Sequence, residues 1–206
     1  FEIDTRLRPN GVSGLMVTSL SSFETYQMQE GSNAAWIWEH QALTRARFCA
    51  GSDSVKKRFE QIRAKVISLP RNANTLKQSI IQMRLKIHEG HPNRSKDFDL
   101  KHDSGGMVDI EFMIQWFVLQ YAHQYPALLE NIGNIALLKV ASSLGILDSD
   151  SASALSDAYR LFRKKQHQLR LDGHSVARVT HDENSNEFAI AMKNVQEVWK
   201  RIMESS

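Results

Sequence analysis

Val108-Asp-Ile-Glu-Phe-Met-Ile-Gln-Trp-Phe-Val-Leu-Gln-Tyr-Ala-His123 decides the fold. Ile110, Phe112, Met113, Trp116, Phe117, Leu119 and Tyr121 cover nearly every face of a helix built on this stretch. A helix apolar all round is buried, so this one predicts the centre of a helical bundle. Gly105-Gly106 stand just before it, and Phe98-Asp-Leu-Lys101 reads as a short segment, a candidate for extended backbone. Two glycines ahead of a buried helix leave backbone N–H groups open at a helix N-terminus, which attracts anions. Lys101 would add a point charge; Asp109 falls in the first turn and Glu111 two residues on. Plainer readings stand beside these: an acid that suits the helix dipole, and an ordinary glycine loop.

Helical spacing continues on both sides. Upstream it predicts helices from Ser21 or Ser22 to about Glu30 and from Ala34 to Phe48. A third runs from a Ser52 or Asp53 cap to about Leu69, with Val55, Phe59, Ile62, Val66 and Leu69 as its stripe. A fourth covers Asn72 to Glu89, with Leu76, Ile80, Met83 and Ile87. Downstream the pattern predicts Asn134–Leu144, Ser149–Leu171 and Asn184–Met203. Four prolines and ten glycines in 206 residues leave room for helices of this length. Gly51-Ser52-Asp53 and Asp148-Ser-Asp150 look like paired-carboxylate motifs, but no apolar strand follows either, so both read as helix caps. Trp36 and Trp38 read as core, Arg45 and Arg47 as the basic residues expected at a helix C-terminus, and the histidines, which lack metal spacing, as surface residues.

The remaining signal is Phe1-Glu-Ile-Asp-Thr-Arg-Leu-Arg-Pro9, which alternates strictly. Phe1, Ile3, Thr5 and Leu7 suit a core, while Asp4, Arg6 and Arg8 share the other face. A carboxylate beside guanidiniums suits a hard cation and phosphate oxygens. Gly14-Leu-Met-Val-Thr18 is a candidate partner strand, and no strand precedes Phe1 in this sequence, as if a sheet were cut there. The expected fold is mainly α, a helical bundle following a small β remnant, with a boundary between residues 50 and 72.

Composition narrows the class. Hydrophobic residues at 42% and charged residues at 24% are ordinary for a globular protein. The net charge of +3 is spread along the chain without a basic stripe or interleaved aromatics, which argues against nucleic acid. Cys49 is the single cysteine, which excludes an intrachain disulfide and fits a cytoplasmic home. No apolar run approaches the ~20 residues a membrane span needs.

Taken together, Ile3-Asp-Thr-Arg-Leu-Arg-Pro9, Gly11 and Gly14, Trp36-Ile-Trp-Glu-His-Gln-Ala-Leu-Thr-Arg-Ala-Arg47, Phe98-Asp-Leu-Lys101 and Gly105-Gly-Met-Val-Asp-Ile-Glu-Phe112 resemble glutamine synthetase adenylyltransferase. The resemblance implies a bifunctional enzyme of two nucleotidyltransferase halves, one adding AMP from ATP to a tyrosine of glutamine synthetase and one removing it by phosphorolysis. The Trp-Glu-His-Gln-Ala form and Asp109 resemble the adenylylating, C-terminal half. It implies a polymerase-β-like nucleotidyltransferase domain whose remnant is residues 1–55, followed by a helical bundle at 56–206. It further implies Asp4 as a catalytic metal ligand, with Arg6, Arg8, Lys101, Gly105 and Gly106 toward the nucleotide phosphates and Asp109 and Glu111 as further metal ligands or loop-ordering groups. Mg²⁺ is the implied cofactor, ATP the substrate, glutamine synthetase and a PII signalling protein the partners, and glutamine an effector, with no nucleic acid and no membrane. The family's paired-aspartate motif is absent, so the isolated fragment is expected to be inactive. A non-catalytic helical module binding glutamine synthetase or PII remains the alternative, with a uridylyltransferase relative behind it.

Overall fold

The computed structural model describes residues 8–28 and 33–205, the side chains of 181–186 excepted. The predicted strand at residues 1–8 lies outside the described residues but for Arg8. Its proposed partner is not a strand: residues 14–18 run irregularly, with Leu15 and Val17 more than four-fifths exposed.

The chain is mainly helical, in the order α1 (Leu20–Met28), α2 (Ile37–Leu43), α3 (Asp53–Ile67), α4 (Ala73–Gly90), β1 (Phe98–Asp99), α5 (Met107–Tyr121), α6 (Asn134–Ser143), α7 (Ser149–Leu171), β2 (Arg178–Val179) and α8 (His181–Trp199). Short 3-10 turns lie at Gly11–Ser13 and Pro126–Leu129, and α8 widens into a π-type turn at Lys200–Glu204. Polar side chains set the helix starts. The Ser19 hydroxyl accepts from the Ser22 N–H at α1, Ser52 from Val55 at α3, Asn72 from Thr75 at α4 and Asp148 from Ser151 at α7. Both decoy motifs are therefore caps. The small sheet is a single antiparallel pair, with Phe98 opposite Val179 and Asp99 opposite Arg178. β1 falls in the segment expected to be extended; β2 carries no sequence signal, being only two residues long.

The chain divides into two compact units, Phe1–Leu76 with Val118–Asn131, and Lys77–Phe117 with Ile132–Ser206. In unit 1 the core gathers Leu43, Ile62 and Val66, with Phe23, Met28 and Phe59 packed on them. Phe23 and Phe59 stack at 6.3 Å. Two arginines pack against it, Arg63 buried and Arg71 half-buried. Arg63 donates to the carbonyls of Leu43, Thr44 and Leu129 at 3.1, 2.8 and 2.7 Å. Arg71 donates to those of Val66, Ile67, Leu69 and Leu119 at 2.8 to 3.2 Å. Those acceptors lie at helix C-termini, where carbonyls lack intrahelical partners.

In unit 2, α7 packs between α6 and α8. Phe162 of α7 is fully buried, edge-on to Phe98 at 5.7 Å and stacked on Phe188 at 6.4 Å. The Tyr159 hydroxyl donates to Glu111 of α5 at 2.8 Å and accepts from Asn134 of α6 at 2.9 Å, which ties three helices at one point. Arg201 holds Asp148 at 2.8 Å, joining the end of the chain to the start of α7. The expectation for α5 holds: Ile110, Met113, Ile114, Phe117, Val118 and Leu119 are all essentially inaccessible.

Candidate functional site

Unit 1 carries a cleft of about 520 Å³ lined by Arg8, Arg45 and Arg47 together with Phe23, Glu39 and Phe59. Each guanidinium reaches it from a backbone fixed by other groups. Arg8 donates through Nε and Nη2 to the carbonyls of Gly14 and Val12 at 3.2 and 3.1 Å, folding the Pro9–Gly14 turn around itself. Asn10 adopts the left-handed conformation (φ 62°) that asparagine tolerates, and its N–H reaches the Tyr26 hydroxyl at 3.4 Å. Tyr26 in turn donates to Glu39 at 2.8 Å, and the same Glu39 oxygen accepts the Trp36 N–H at 3.2 Å. Burial, and then Glu39, push the Tyr26 phenol above its ordinary pKa. The segment bearing Arg45 and Arg47 is held by Asn131, whose amide donates to the carbonyls of Arg45 and Ala46 at 3.0 and 3.3 Å.

The Trp36–Arg47 motif is thus mostly architectural, and its exposure pattern reverses part of the sequence expectation. Trp36, expected in the core, is 67% exposed, while Glu39, His40 and Gln41 turn inward. Trp36 precedes the first turn of α2, so the side that packs begins three residues later. His40, expected at the surface, is buried: its Nε2 lies 3.2 Å from the Gln27 carbonyl and its Nδ1 3.3 Å from Arg71 Nη2. Arginine can only donate, so Nδ1 accepts and Nε2 carries the proton.

Burial and the Arg71 charge drop the His40 pKa from 6.5 to about 4. Between those values the unfolded chain binds the extra proton, so stability falls as the pH is lowered through this window. The full loss would be about 3 kcal/mol. His40→Gln can keep both hydrogen bonds without titrating, so it should flatten the wild-type decline between pH 6.5 and 4. Urea midpoints measured across that range check this, and parallel pH profiles for the two proteins would contradict it.

In unit 2 the predicted residues around the two glycines come together, but as a closed knot. Asp109 is buried and forms an ion pair with Arg84, itself buried. Its other oxygen accepts the Gly105 N–H at 2.6 Å. Arg84 also donates to the carbonyls of His102 and Asp103 at 2.9 and 3.1 Å. The Gly106 N–H goes to Asp103 O at 2.9 Å, Met107 to Leu100 O at 2.9 Å and Val108 to Lys101 O at 3.2 Å. The N–H groups expected to stand open to an anion at Gly105 and Gly106 are therefore taken, the first by the Asp109 carboxylate and the second by the Asp103 carbonyl. Burial raises the Asp109 pKa against the pull of Arg84 and Gly105. Glu111 is engaged by Tyr159. Asp109 thus bridges Arg84 and the Gly105 N–H.

Both glycines are required by this turn. Gly105 has φ +85°, and a Cβ there would sit 2.6 Å from the Met192 carbonyl oxygen. A Cβ on Gly106 would meet three carbonyl oxygens at 2.9 to 3.1 Å. The Lys101 side chain is exposed and lines a different cleft of the same unit, with Asp99, Arg170 and Arg178. Asp4 and Arg6 lie outside the described residues. Among the described residues, no group of three or more His, Cys, Asp or Glu side chains is placed to hold a metal ion. Among them, too, no helix is long and apolar enough to cross a membrane.

Arg84, Arg63 and Arg71 were not singled out by sequence reading, although a signal existed. Arg84 lies four residues after Ile80 and eight after Leu76, and Arg63 four after Phe59. An arginine in the apolar register of a helix marks a buried anchor.

Comparison with known proteins divides the chain once, near Leu76, so that its second part also takes in Val118–Asn131 of unit 1. Residues 1–62 match the family model described as glutamate-ammonia ligase adenylyltransferase. Residues 77–204 match the one described as GlnD PII-uridylyltransferase. The chain is 52% identical over 205 residues to the bifunctional glutamine synthetase adenylyltransferase/adenylyl-removing enzyme of Ralstonia nicotianae, covering 100% of this chain and 21% of that protein. It is 48% identical over 204 residues to that of Burkholderia mallei (98% and 22%) and 53% over 173 residues to that of Nitrosomonas eutropha (84% and 18%). The chain thus spans about a fifth of the length of the curated relatives it matches. It belongs to the glutamine synthetase adenylyltransferase family, and its helical residues 77–204 to the GlnD PII-uridylyltransferase family.

Proposed function

We propose that this chain acts as part of an enzyme that transfers AMP from ATP to a tyrosine of glutamine synthetase, and that it serves the adenylylating half. The observation that carries the reading is the 52% identity to such an enzyme along 205 residues. In the reaction the tyrosine oxygen attacks the α-phosphorus of ATP, the bond to the β-phosphate oxygen breaks, and pyrophosphate leaves with the electron pair. Arg8, with Arg45 and Arg47 across the unit 1 cleft, supplies guanidiniums whose fork geometry suits phosphate oxygens. On this reading Arg6 also serves the phosphates and Asp4 supplies a carboxylate toward Mg²⁺, the roles that the family resemblance implies for them. The metal would neutralise phosphate charge, but a single carboxylate does not make a two-ion site. Asp109 and Glu111, committed to Arg84 and Tyr159, support the fold rather than a metal. Residues 1–55 belong on this reading to the nucleotidyltransferase domain and 56–206 to the bundle. PII binding, glutamine as effector, a cytoplasmic location and control of nitrogen assimilation complete the proposal.

The match of residues 77–204 to a uridylyltransferase family supports a second reading, transfer of UMP to PII. Residues 1–62 and the curated relatives favour the first.

Asp4→Asn in an enzyme containing this chain tests the proposal. It removes charge but keeps size, so AMP incorporation into glutamine synthetase should fall by roughly 10²-fold with the melting temperature unchanged. The 206-residue chain alone should incorporate none. Near-normal turnover with a lowered melting temperature would make Asp4 structural and remove the assignment.

A further inference from the structure

We propose that unit 2 carries a binding site for a small phosphorylated anion, of the size of a phosphate or diphosphate group, in the cleft where the end of α7 meets the two-stranded sheet. The proposal stands on the charges of this cleft and does not depend on the AMP-transfer reading.

The cleft measures about 320 Å³ and is lined by Lys101, Arg170, Arg178, His91, His102 and Asp99, among others. The fold brings three cations there from three places. Arg170 lies in the last turn of α7. Arg178 is on β2, opposite Asp99 of β1. Lys101 follows β1, and the Leu100 N–H donated to Ala177 O at 3.0 Å keeps these segments together. His91 and His102 stack face to face, with ring centroids 4.1 Å apart.

Concentrated positive charge normally has acids nearby to balance it. Here the one lining carboxylate, Asp99, is spent on its own loop: it accepts the Lys101 and His102 N–H groups at 2.9 and 3.0 Å and lies 3.5 Å from His102 Nδ1. Among the described residues, Lys101, Arg170 and Arg178 form no ion pair with an acid. The Arg178 Nε is moreover buried with no hydrogen-bond acceptor. A buried guanidinium N–H without an acceptor is costly, and such groups are rare unless something external satisfies them. A phosphoryl group in the cleft would balance Arg178 and the two exposed cations, Lys101 and Arg170. A volume near the small end of ligand pockets fits a phosphate or diphosphate better than a whole nucleotide. A carboxylate, with one charge and two oxygens, matches three cations less well.

The test uses the 206-residue chain and three probes: pyrophosphate, orthophosphate and succinate. Imidazole resonances report the site. Pyrophosphate should shift the signals of His91 and His102 and leave that of His123 unmoved. Lys101→Gln and Arg170→Gln alter exposed side chains, so both variants should remain folded, which circular dichroism verifies. Each should weaken pyrophosphate binding by roughly tenfold. Arg45→Gln with Arg47→Gln, in unit 1, should leave the His91 and His102 shifts intact. Tighter pyrophosphate than orthophosphate would assign a diphosphate, and the reverse order a monophosphate. The proposal is overturned if millimolar pyrophosphate and orthophosphate move neither imidazole, if the Lys101 and Arg170 variants bind unchanged, or if succinate binds as well as the phosphates.

Discussion

Asp109→Ala should destabilise the protein by about 3–5 kcal/mol, the usual cost of breaking a buried ion pair from one side. The substitution leaves the buried Arg84 charge facing an empty place and strips the Gly105 N–H of its acceptor. Asp109→Asn should cost less, because an amide oxygen still accepts one of the two donors. The double variant Arg84→Met with Asp109→Leu should be more stable than Asp109→Ala alone, since no uncompensated charge remains. Urea unfolding of the three variants decides it. A loss below about 1 kcal/mol for Asp109→Ala, no more than an average substitution, would free Asp109 for the metal role that its sequence position suggests.

Phe162→Ala is the second large effect, at about 3–5 kcal/mol. Phe162 is fully buried, and its ring is shared by Phe98 of the sheet and Phe188 of α8. Truncation empties a space bordered on two sides by aromatic rings, which cannot collapse into it without moving the sheet or the helix. Phe162→Leu fills part of that volume and should cost clearly less. Thermal unfolding measures both. Equal melting temperatures for wild type and Phe162→Ala would mean that unit 2 does not pack around this ring.

The helices were the legible part of the fold. α3, α4, α6 and α7 start and stop within about two residues of their sequence bounds, because caps such as Ser52, Asn72 and Asp148 are local signals. α2 was drawn too long: it ends at Leu43, where Arg63 gathers the Leu43 and Thr44 carbonyls. That contact joins residues about twenty apart and leaves no local trace. β2 was invisible for the same reason, since two residues become a strand only when Phe98 and Asp99 lie beside them. At the candidate site, the sequence identified Gly105, Gly106 and Asp109 as a group but not their partner. Arg84 supplies the charge that turns an apparent anion cradle into a closed knot. His40 was misplaced because its neighbours in the motif are polar, and only Arg71 and the Gln27 carbonyl make a buried imidazole tolerable.

The order in which the units occur along the chain has a consequence for synthesis. Unit 1 is interrupted: it begins before Leu76 and resumes at Val118, after the first part of unit 2 has been made. Arg63 awaits the carbonyl of Leu129, and Arg71 that of Leu119. At roughly 5–20 residues per second, a ribosome needs several seconds to deliver those acceptors. Until then each guanidinium has only its earlier acceptors, the Leu43 and Thr44 carbonyls for Arg63 and those of Val66, Ile67 and Leu69 for Arg71. The sheet waits longer still, because Phe98 pairs with Val179. Neither unit is a contiguous segment that a protease or a gene fusion could lift out whole, so a nick between Leu76 and Val118 should leave both halves dependent on each other for solubility.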